Sequence, residues 1–154
     1  MISISEANQK DIEQLKSFFQ HYKIENLIIN RTENYVKYNH TVVAKDGPKI
    51  IGTIQWIIKE DPSQGVVEIE EVNVIMSYQK QGIGSKMMEF CLVSIKKYFQ
   101  ENNLKLRKIY LFVSESNLAA QKFYEKFSFK KAAKINNLFS DYGNELFYVL
   151  DLNE

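Results

Sequence analysis

The chain has a single cysteine, Cys91, so no internal disulfide can form. That excludes the small scaffolds that rely on disulfide bridges in place of a core, and it fits a reducing compartment. Its two histidines, His21 and His40, stand alone and make no metal-ligand spacing, so no metal is expected. Neither sign of charge is in excess. Lys and Arg number 20 against 19 Asp and Glu, and a net charge of +1 implies no polyanion partner such as a nucleic acid. No apolar run approaches the roughly 18 residues that a membrane-spanning helix needs. The opening residues Met1-Ile2-Ser3-Ile4-Ser5-Glu6 lack the basic start and apolar core of a secretory signal. A cytoplasmic protein is expected. Its 154 residues, 45% hydrophobic and 25% charged, suit one globular domain over residues 1–154.

What the chain does contain is concentrated between Glu68 and Phe99. Glu68 to Met76 is rich in Val and Ile and predicts a strand. From Ile83 onward, Met87, Phe90, Cys91, Ser94, Ile95 and Tyr98 recur at helical spacing. Between them lies Gln79-x-x-Gly82-x-Gly84. Glycines at the mouth of a helix let the backbone turn sharply, and the first N–H groups of a helix have no internal partner. Strand, glycine turn and helix start therefore predict an anion cradle.

Three cradles of this kind compete. A Walker A loop needs Gly-Lys-Ser/Thr, whereas this chain has Gly84-Ser85-Lys86. A dinucleotide fingerprint needs a third Gly or Ala where Met87 stands. The third pattern, Q/R-x-x-G-x-G/A, is matched completely. A second segment, Asn117-Leu118-Ala119-Ala120-Gln121-Lys122-Phe123-Tyr124-Glu125-Lys126-Phe127-Ser128-Phe129, is similar to N-x-x-A-x-x-F-Y-x-x-x-G-F, with Ser128 in the glycine position. With both motifs in order, the chain resembles the GNAT superfamily of N-acetyltransferases over about residues 41–130. Ser128 puts only the local turn in question, since Ser accepts a helix-to-strand corner less readily than Gly.

Taken in order, Ile2–Ser5 predicts a strand and residues 7–22 a helix, capped by Asn8 or Ser5. Residues 23–39 are poorly periodic, and the resemblance implies a short helix and a loop there. The aromatics of this region, Tyr35 and Tyr38, suit core packing better than substrate binding. Residues 41–45 and 50–59 predict a hairpin about Asp46-Gly47-Pro48-Lys49, and Asp61-Pro62-Ser63-Gln64-Gly65 predicts a second turn. Residues 66–76 should then run antiparallel to the third strand. A helix from about Gly82 to Asn102, a strand at 108–113, a helix at 117–127 and strands at 129–135 and 145–150 complete the chain. The expected fold is α/β (α+β), a mixed sheet of six or seven strands flanked by about four helices. The resemblance implies that strands four and five splay apart.

The resemblance also implies the chemistry, acetyl transfer from acetyl-coenzyme A to an amine in a ternary complex. Val72, Asn73 and Val74 would meet the pantetheine arm, the Val74 N–H serving as oxyanion donor. Gln79, Lys80 and the N–H groups of Gln81, Gly82, Ile83, Gly84 and Ser85 would hold the pyrophosphate, and Asn117 and Ala120 would also touch the cofactor. Tyr124 would be the general acid, a phenol of pKa about 10 facing a thiol leaving group. Glu68, Glu70 and Glu71 crowd the fourth strand, with Glu70 and Glu71 on opposite faces and Glu68 beside Glu70. Polyamine acetyltransferases, which this segment resembles, carry an acidic pair at the positions of Glu70 and Glu71. Glu70 is the expected base and Glu71 its partner, with Glu71 itself or bulk water as the alternative base and a merely solvated acidic edge as the other reading. The acceptor is expected to be a primary amine on a small cationic molecule. A protein or peptide amine is the second reading, and a non-catalytic acetyl-coenzyme A-binding module the third. Cys91 and Trp56 are expected in the core, and the Lys96-Lys97 and Lys130-Lys131 pairs in solvent. A terminal strand containing Phe147, Tyr148, Val149 and Leu150 predicts an apolar edge, and with it a homodimer.

Overall fold

The computed structural model describes residues 1–22, 25–37, 40–139 and 143–153, and within them the side chains of all but residues 21, 22, 27 and 31. Seven strands form one mixed sheet: β1 (Ile2–Glu6), β2 (His40–Asp46), β3 (Lys49–Ile58), β4 (Val66–Val74), β5 (Lys108–Ser114), β6 (Lys130–Asn136) and β7 (Asn144–Asp151). Their order is β1-β2-β3-β4-β5-β7-β6. Among the described residues four α-helices accompany these seven strands: α1 (Ile12–Leu15), α2 (Glu25–Lys37), α3 (Ile83–Glu101) and α4 (Leu118–Glu125). The expected mixed sheet and helices are therefore present. Residues pack as two compact units, Met1–Ile57 with Glu71–Tyr98, and Ile58–Glu70 with Phe99–Glu154.

In the first unit, β1 pairs antiparallel with β2, and β2 with β3. The segment expected to be one helix over residues 7–22 is instead broken. A 3₁₀ turn at Gln9–Asp11 leads into the single turn of α1, and a 3₁₀ stretch follows at Lys16–Tyr22. Side chains compete with the helical ladder here. Asn8 caps the Lys10 N–H, and Asp11 returns a bond to the Asn8 N–H at 3.0 Å. The Ser17 hydroxyl donates back to the Gln14 carbonyl at 2.7 Å. The Gln14 amide then ties this segment to the β2–β3 turn, through the Pro48 carbonyl and the Ile50 N–H.

The poorly periodic region holds the 13-residue helix α2. Tyr35 is buried and stacks on Phe19 at 5.5 Å, in agreement with packing. Lys23, Ile24, Tyr38 and Asn39 lie outside the described residues. Along α3, Ile83, Met87, Met88, Cys91 and Ile95 are buried, whereas Phe90, Ser94 and Tyr98 are half-buried, so the buried stripe is narrower than the periodicity implied. Trp56 is fully buried, as expected, with His40 stacked on it at 3.8 Å.

In the second unit, the Lys59 N–H donates to the Val66 carbonyl and closes the hairpin between β3 and β4. β4 then pairs with β5 in parallel over Val66–Glu68 and Lys108–Tyr110, and the pairing ends there although both strands continue. β7 lies between β5 and β6 and is antiparallel to each. This corrects the expected apolar edge. Phe147, Tyr148, Val149 and Leu150 have neighbours on both sides, and the edge falls to β6, whose sequence Lys130-Lys131-Ala132-Ala133-Lys134-Ile135-Asn136 is almost wholly exposed. Lysines on an edge strand discourage pairing with another chain.

The corner after α4 answers the question raised by Ser128. The Phe129 N–H bonds to the Tyr124 carbonyl and the Ser128 N–H to the Glu125 carbonyl, the two bonds of a Schellman motif. Ser128 occupies its left-handed position at φ +66°. The turn forms as it would with glycine, but with a side chain where that conformation costs roughly 1 kcal/mol. Ser128→Gly should raise unfolding stability by roughly 0.5–1 kcal/mol in a urea titration. An unchanged midpoint would show that Ser128 carries no strain.

Candidate active site

One group of candidate residues lies where β4 ends. Gly52 on β3 sets how closely β4 and α3 approach. A Cβ there would meet the Asn73 carbonyl oxygen and the Met87 sulfur, each at 2.9 Å. Glycine is required at this point for space, and no sequence motif signalled it, since Asn73 and Met87 are far along the chain. The Ile75 N–H reaches the Ile51 carbonyl at 2.9 Å and fixes the strand end. The side-chain amide of Gln79 donates to the Val74 carbonyl at 2.9 Å, so in this structure Gln79 props the loop against the strand. The Tyr78 hydroxyl donates to Asp46 at 3.1 Å and ties the same loop to the β2–β3 turn.

Lys80 and Gly82 both take left-handed φ, +60° and +78°. A Cβ on Gly82 would meet nothing within 4 Å, so this glycine is needed for its φ and the space above it is open. Ile83 is buried and anchors the head of α3. The Lys86 N–H bonds to the Gly82 carbonyl, which makes Ile83, Gly84 and Ser85 the first turn, whose N–H groups point out of the helix end. A cleft of about 260 Å³ lies against the strand end, lined by Asn73, Val74 and Ile75 together with Ser17 and Phe18. The sequence reading did not single out the last two, because their segment read only as a helix. On the strand, the Asn73 side chain donates to Glu71 at 3.3 Å.

A second group of candidate residues lies in the other unit. Asn117 caps α4 by accepting from the Ala120 N–H at 3.0 Å. The Gln121 amide reaches the Ser114 and Glu115 carbonyls and holds the helix to the end of β5. Tyr124 is 9% exposed, with Phe123 and Phe129 edge-on to its ring. Burial pushes its phenol up to about 12. A group in that state stays protonated through the physiological range and has a proton to give.

The three glutamates of β4 differ in their surroundings. The Glu68 carboxylate meets Lys59 at 2.7 Å and accepts from the Tyr110 hydroxyl at 3.1 Å. The hydrogen bond to Glu68 holds the Lys59 ammonium above its usual pKa. Burial, and then the Glu68 charge, raise the Tyr110 phenol, and Glu70 adds to both shifts. Glu68 is thus committed to a structural triad, and Glu70 lies near it, half-exposed. Cys91 is buried, and burial pushes its thiol far up, which makes it an inert core residue. Burial lowers His40, which is sandwiched among Trp56 and Tyr98. Among the described residues no three His, Cys, Asp or Glu side chains gather into a metal site, and no helix is long and apolar enough to cross a membrane.

The model of the Acetyltransferase (GNAT) family matches residues 7–129. The chain belongs to the GNAT acetyltransferase family. The match reaches further toward the N-terminus than the two motifs do. Solved structures carry the same fold. An N-acetyltransferase from Staphylococcus aureus Mu50 superposes with a TM-score of 0.79 at 20% identity, covering 98% of both chains. Arabidopsis thaliana NAA60, in complex with acetyl-CoA, gives 0.77 at 21% identity over 100% of both. An aminoglycoside 6'-N-acetyltransferase, complexed with coenzyme A, gives 0.79 at 16% identity over 97% of this chain and 96% of its own. No curated protein matches the chain in sequence.

The GNAT loop should depend on Gly52 although the residue lies outside it. Gly52→Ala sets a methyl group against the Asn73 carbonyl, and overpacking of this kind costs roughly 1–3 kcal/mol. The variant should lose that much in denaturant unfolding, and the amide resonances of Asn73, Val74 and Ile75 should move. Resonances that stay in place would show that β4 does not rest on Gly52.

Proposed function

We propose that this GNAT enzyme moves the acetyl group of acetyl-coenzyme A to a primary amine of a small cationic acceptor. The head of α3 carries the reading. Two left-handed residues, an open space over Gly82 and the unpartnered first-turn N–H groups fit a pyrophosphate. Gln79 positions that loop, and the N–H groups of Gln81, Gly82, Ile83, Gly84 and Ser85, with Lys80, bind the anion. Val72, Asn73 and Val74 take the pantetheine arm, helped by Asn117 and Ala120. The carboxylates of Glu68, Glu70 and Glu71 on β4 support a cationic acceptor.

The Val74 N–H stabilises the carbonyl oxygen as it gains charge. The amine nitrogen attacks the carbonyl carbon, so a C–N bond forms and the C–S bond breaks. Glu70, partnered by Glu71, takes the proton from the ammonium. A carboxylate of pKa about 4 is a weak base toward an ammonium of about 10, so the proton passes through water. Tyr124 gives its phenolic proton to the departing thiolate and recovers one from solvent.

These roles separate by pH. Because Tyr124 sits near 12, it stays protonated from about pH 6 to 10. Tyr124→Phe should therefore lower turnover by about 10²–10⁴-fold across that range, with coenzyme A affinity nearly intact. Glu70→Gln should depress turnover most at low pH, where the amine is charged, and its deficit should shrink as pH rises. Turnover against pH, read by free thiol release with a good amine acceptor, checks both. Parental rates in Glu70→Gln would remove it as the base, and an unimpaired Tyr124→Phe would remove the acid.

A further inference from the structure

The face of the second unit that carries Glu68 and Glu70 holds a feature that acetyl transfer alone does not require. A cavity of about 790 Å³ opens there over Tyr110, Phe147 and Val149. That is the size of a small-molecule pocket, about 300–1,000 Å³. The strand register explains its floor. Glu68 pairs with Tyr110, Tyr110 with Val149, and Phe112 with Phe147, so these side chains share one face. Tyr110 and Phe112 each lie 5.3 Å from Phe147, and Phe139 stands edge-on to Phe112 at 5.7 Å. Tyr110, Phe112 and Phe147 are half-exposed, and Phe139 at their margin is exposed.

Charge on this face is divided between its two ends. Beyond Glu68, Glu70 projects to the same side by alternation. On β7, Glu145 does so two residues before Phe147, opposite Ser114. Burial holds the Glu145 carboxyl above its usual range. At the other end stand Lys108, ion-paired with Asp151, and Lys130, in register with Val149.

We propose that this face is the acceptor subsite and takes an acceptor with a single amine on an apolar, ring-sized body. The ammonium meets Glu70 and Glu145, and the body lies in the cavity on Tyr110, Phe147 and Val149. The proposal rests on the reading of Glu70 as the base. Aromatic faces attract an ammonium and shield an apolar body from water. A polyamine would instead bring its second ammonium into the cavity, where the lining carboxylate, Asp151, is already paired with Lys108. A sugar would lay hydroxyl groups on rings that offer them few hydrogen bonds.

The test compares 2-phenylethylamine with spermidine as acceptors for the parent, Phe147→Ala and Lys130→Glu. The parent should favour 2-phenylethylamine in kcat/KM by about tenfold or more, within the range a hydrophobic pocket can supply. Phe147→Ala should lose about that factor for 2-phenylethylamine, mainly through KM, and little for spermidine. Lys130→Glu, on the exposed edge strand, should narrow the preference by improving spermidine. Titration calorimetry of 2-phenylethylamine into the parent and Phe147→Ala measures the subsite without turnover. Binding that weakens in Phe147→Ala, with neither amine acetylated, would place the amine in the cavity but overturn both its role as acceptor subsite and the small-amine reading. Acetylation with spermidine preferred, indifferent to Phe147 and Lys130, would overturn the subsite and leave acetyl transfer standing.

Discussion

A helix cannot satisfy the donors of its own first turn, and the first unit is arranged around that constraint at the head of α3. Ile83 is buried and fixes where the helix starts. Lys80 and Gly82 bend the backbone through left-handed φ so that the chain leaves β4 and enters the helix without covering its end. Gln79 spends its amide on the Val74 carbonyl, and Tyr78 spends its hydroxyl on Asp46. Both bonds hold the loop from the side and leave the first-turn N–H groups facing outward. The positive end of the helix dipole then adds to the attraction for an anion. Such a cradle needs backbone geometry rather than charged side chains, which explains how a chain of net charge +1 can recognise a strongly anionic group.

In the second unit, burial and pairing give chemically similar groups different roles. Tyr110, Tyr124 and Tyr148 are all phenols. Tyr110 is bonded to Glu68 and Tyr148 to Glu125, and both serve structure. Tyr124 is shifted by burial alone, among aromatic rings, which suits a group whose task is to hold its proton until a better acceptor arrives. The Schellman corner uses the carbonyl of Tyr124 itself, so the turn that ends α4 also fixes where that residue sits. Among the glutamates, Glu68 is held by Lys59 and Tyr110. A carboxylate fixed in that way is a poor proton carrier, and its charge instead helps set the field around Glu70.

What could be read from the sequence were features written within a few consecutive residues. The Gln79-x-x-Gly82-x-Gly84 loop, the Asn117 cap, the buried Cys91 and the strand order near the loop were of that kind. Features made by side chains competing with the backbone were not. The Asn8–Asp11 capping box and the Ser17 back-bond break a segment whose apolar spacing reads as one helix. Contacts between distant positions were hidden too. Gly52 carries no local signal, because its need arises from Asn73 and Met87. The closing strands misled for a topological reason. A last strand that inserts between two others reads as an apolar edge, yet β7 is interior and the lysine-bearing β6 is the true edge.

The two substrates are thus recognised by different kinds of information. In the proposed reading the donor meets backbone N–H groups, which depend on two glycines and a helix start rather than on the identity of charged side chains. The proposed acceptor subsite is made of side chains from β4, β5 and β7, whose identities the backbone does not constrain. They place aromatic rings between carboxylates at one end and Lys130 with the Lys108–Asp151 pair at the other. Swapping Glu145 or Lys130 would alter that charge division while leaving strand pairing untouched, because both side chains stand off the sheet face. Family membership therefore gives the acetyl-transfer chemistry, and in the proposed reading acceptor choice rests with a few half-buried positions that no short motif records.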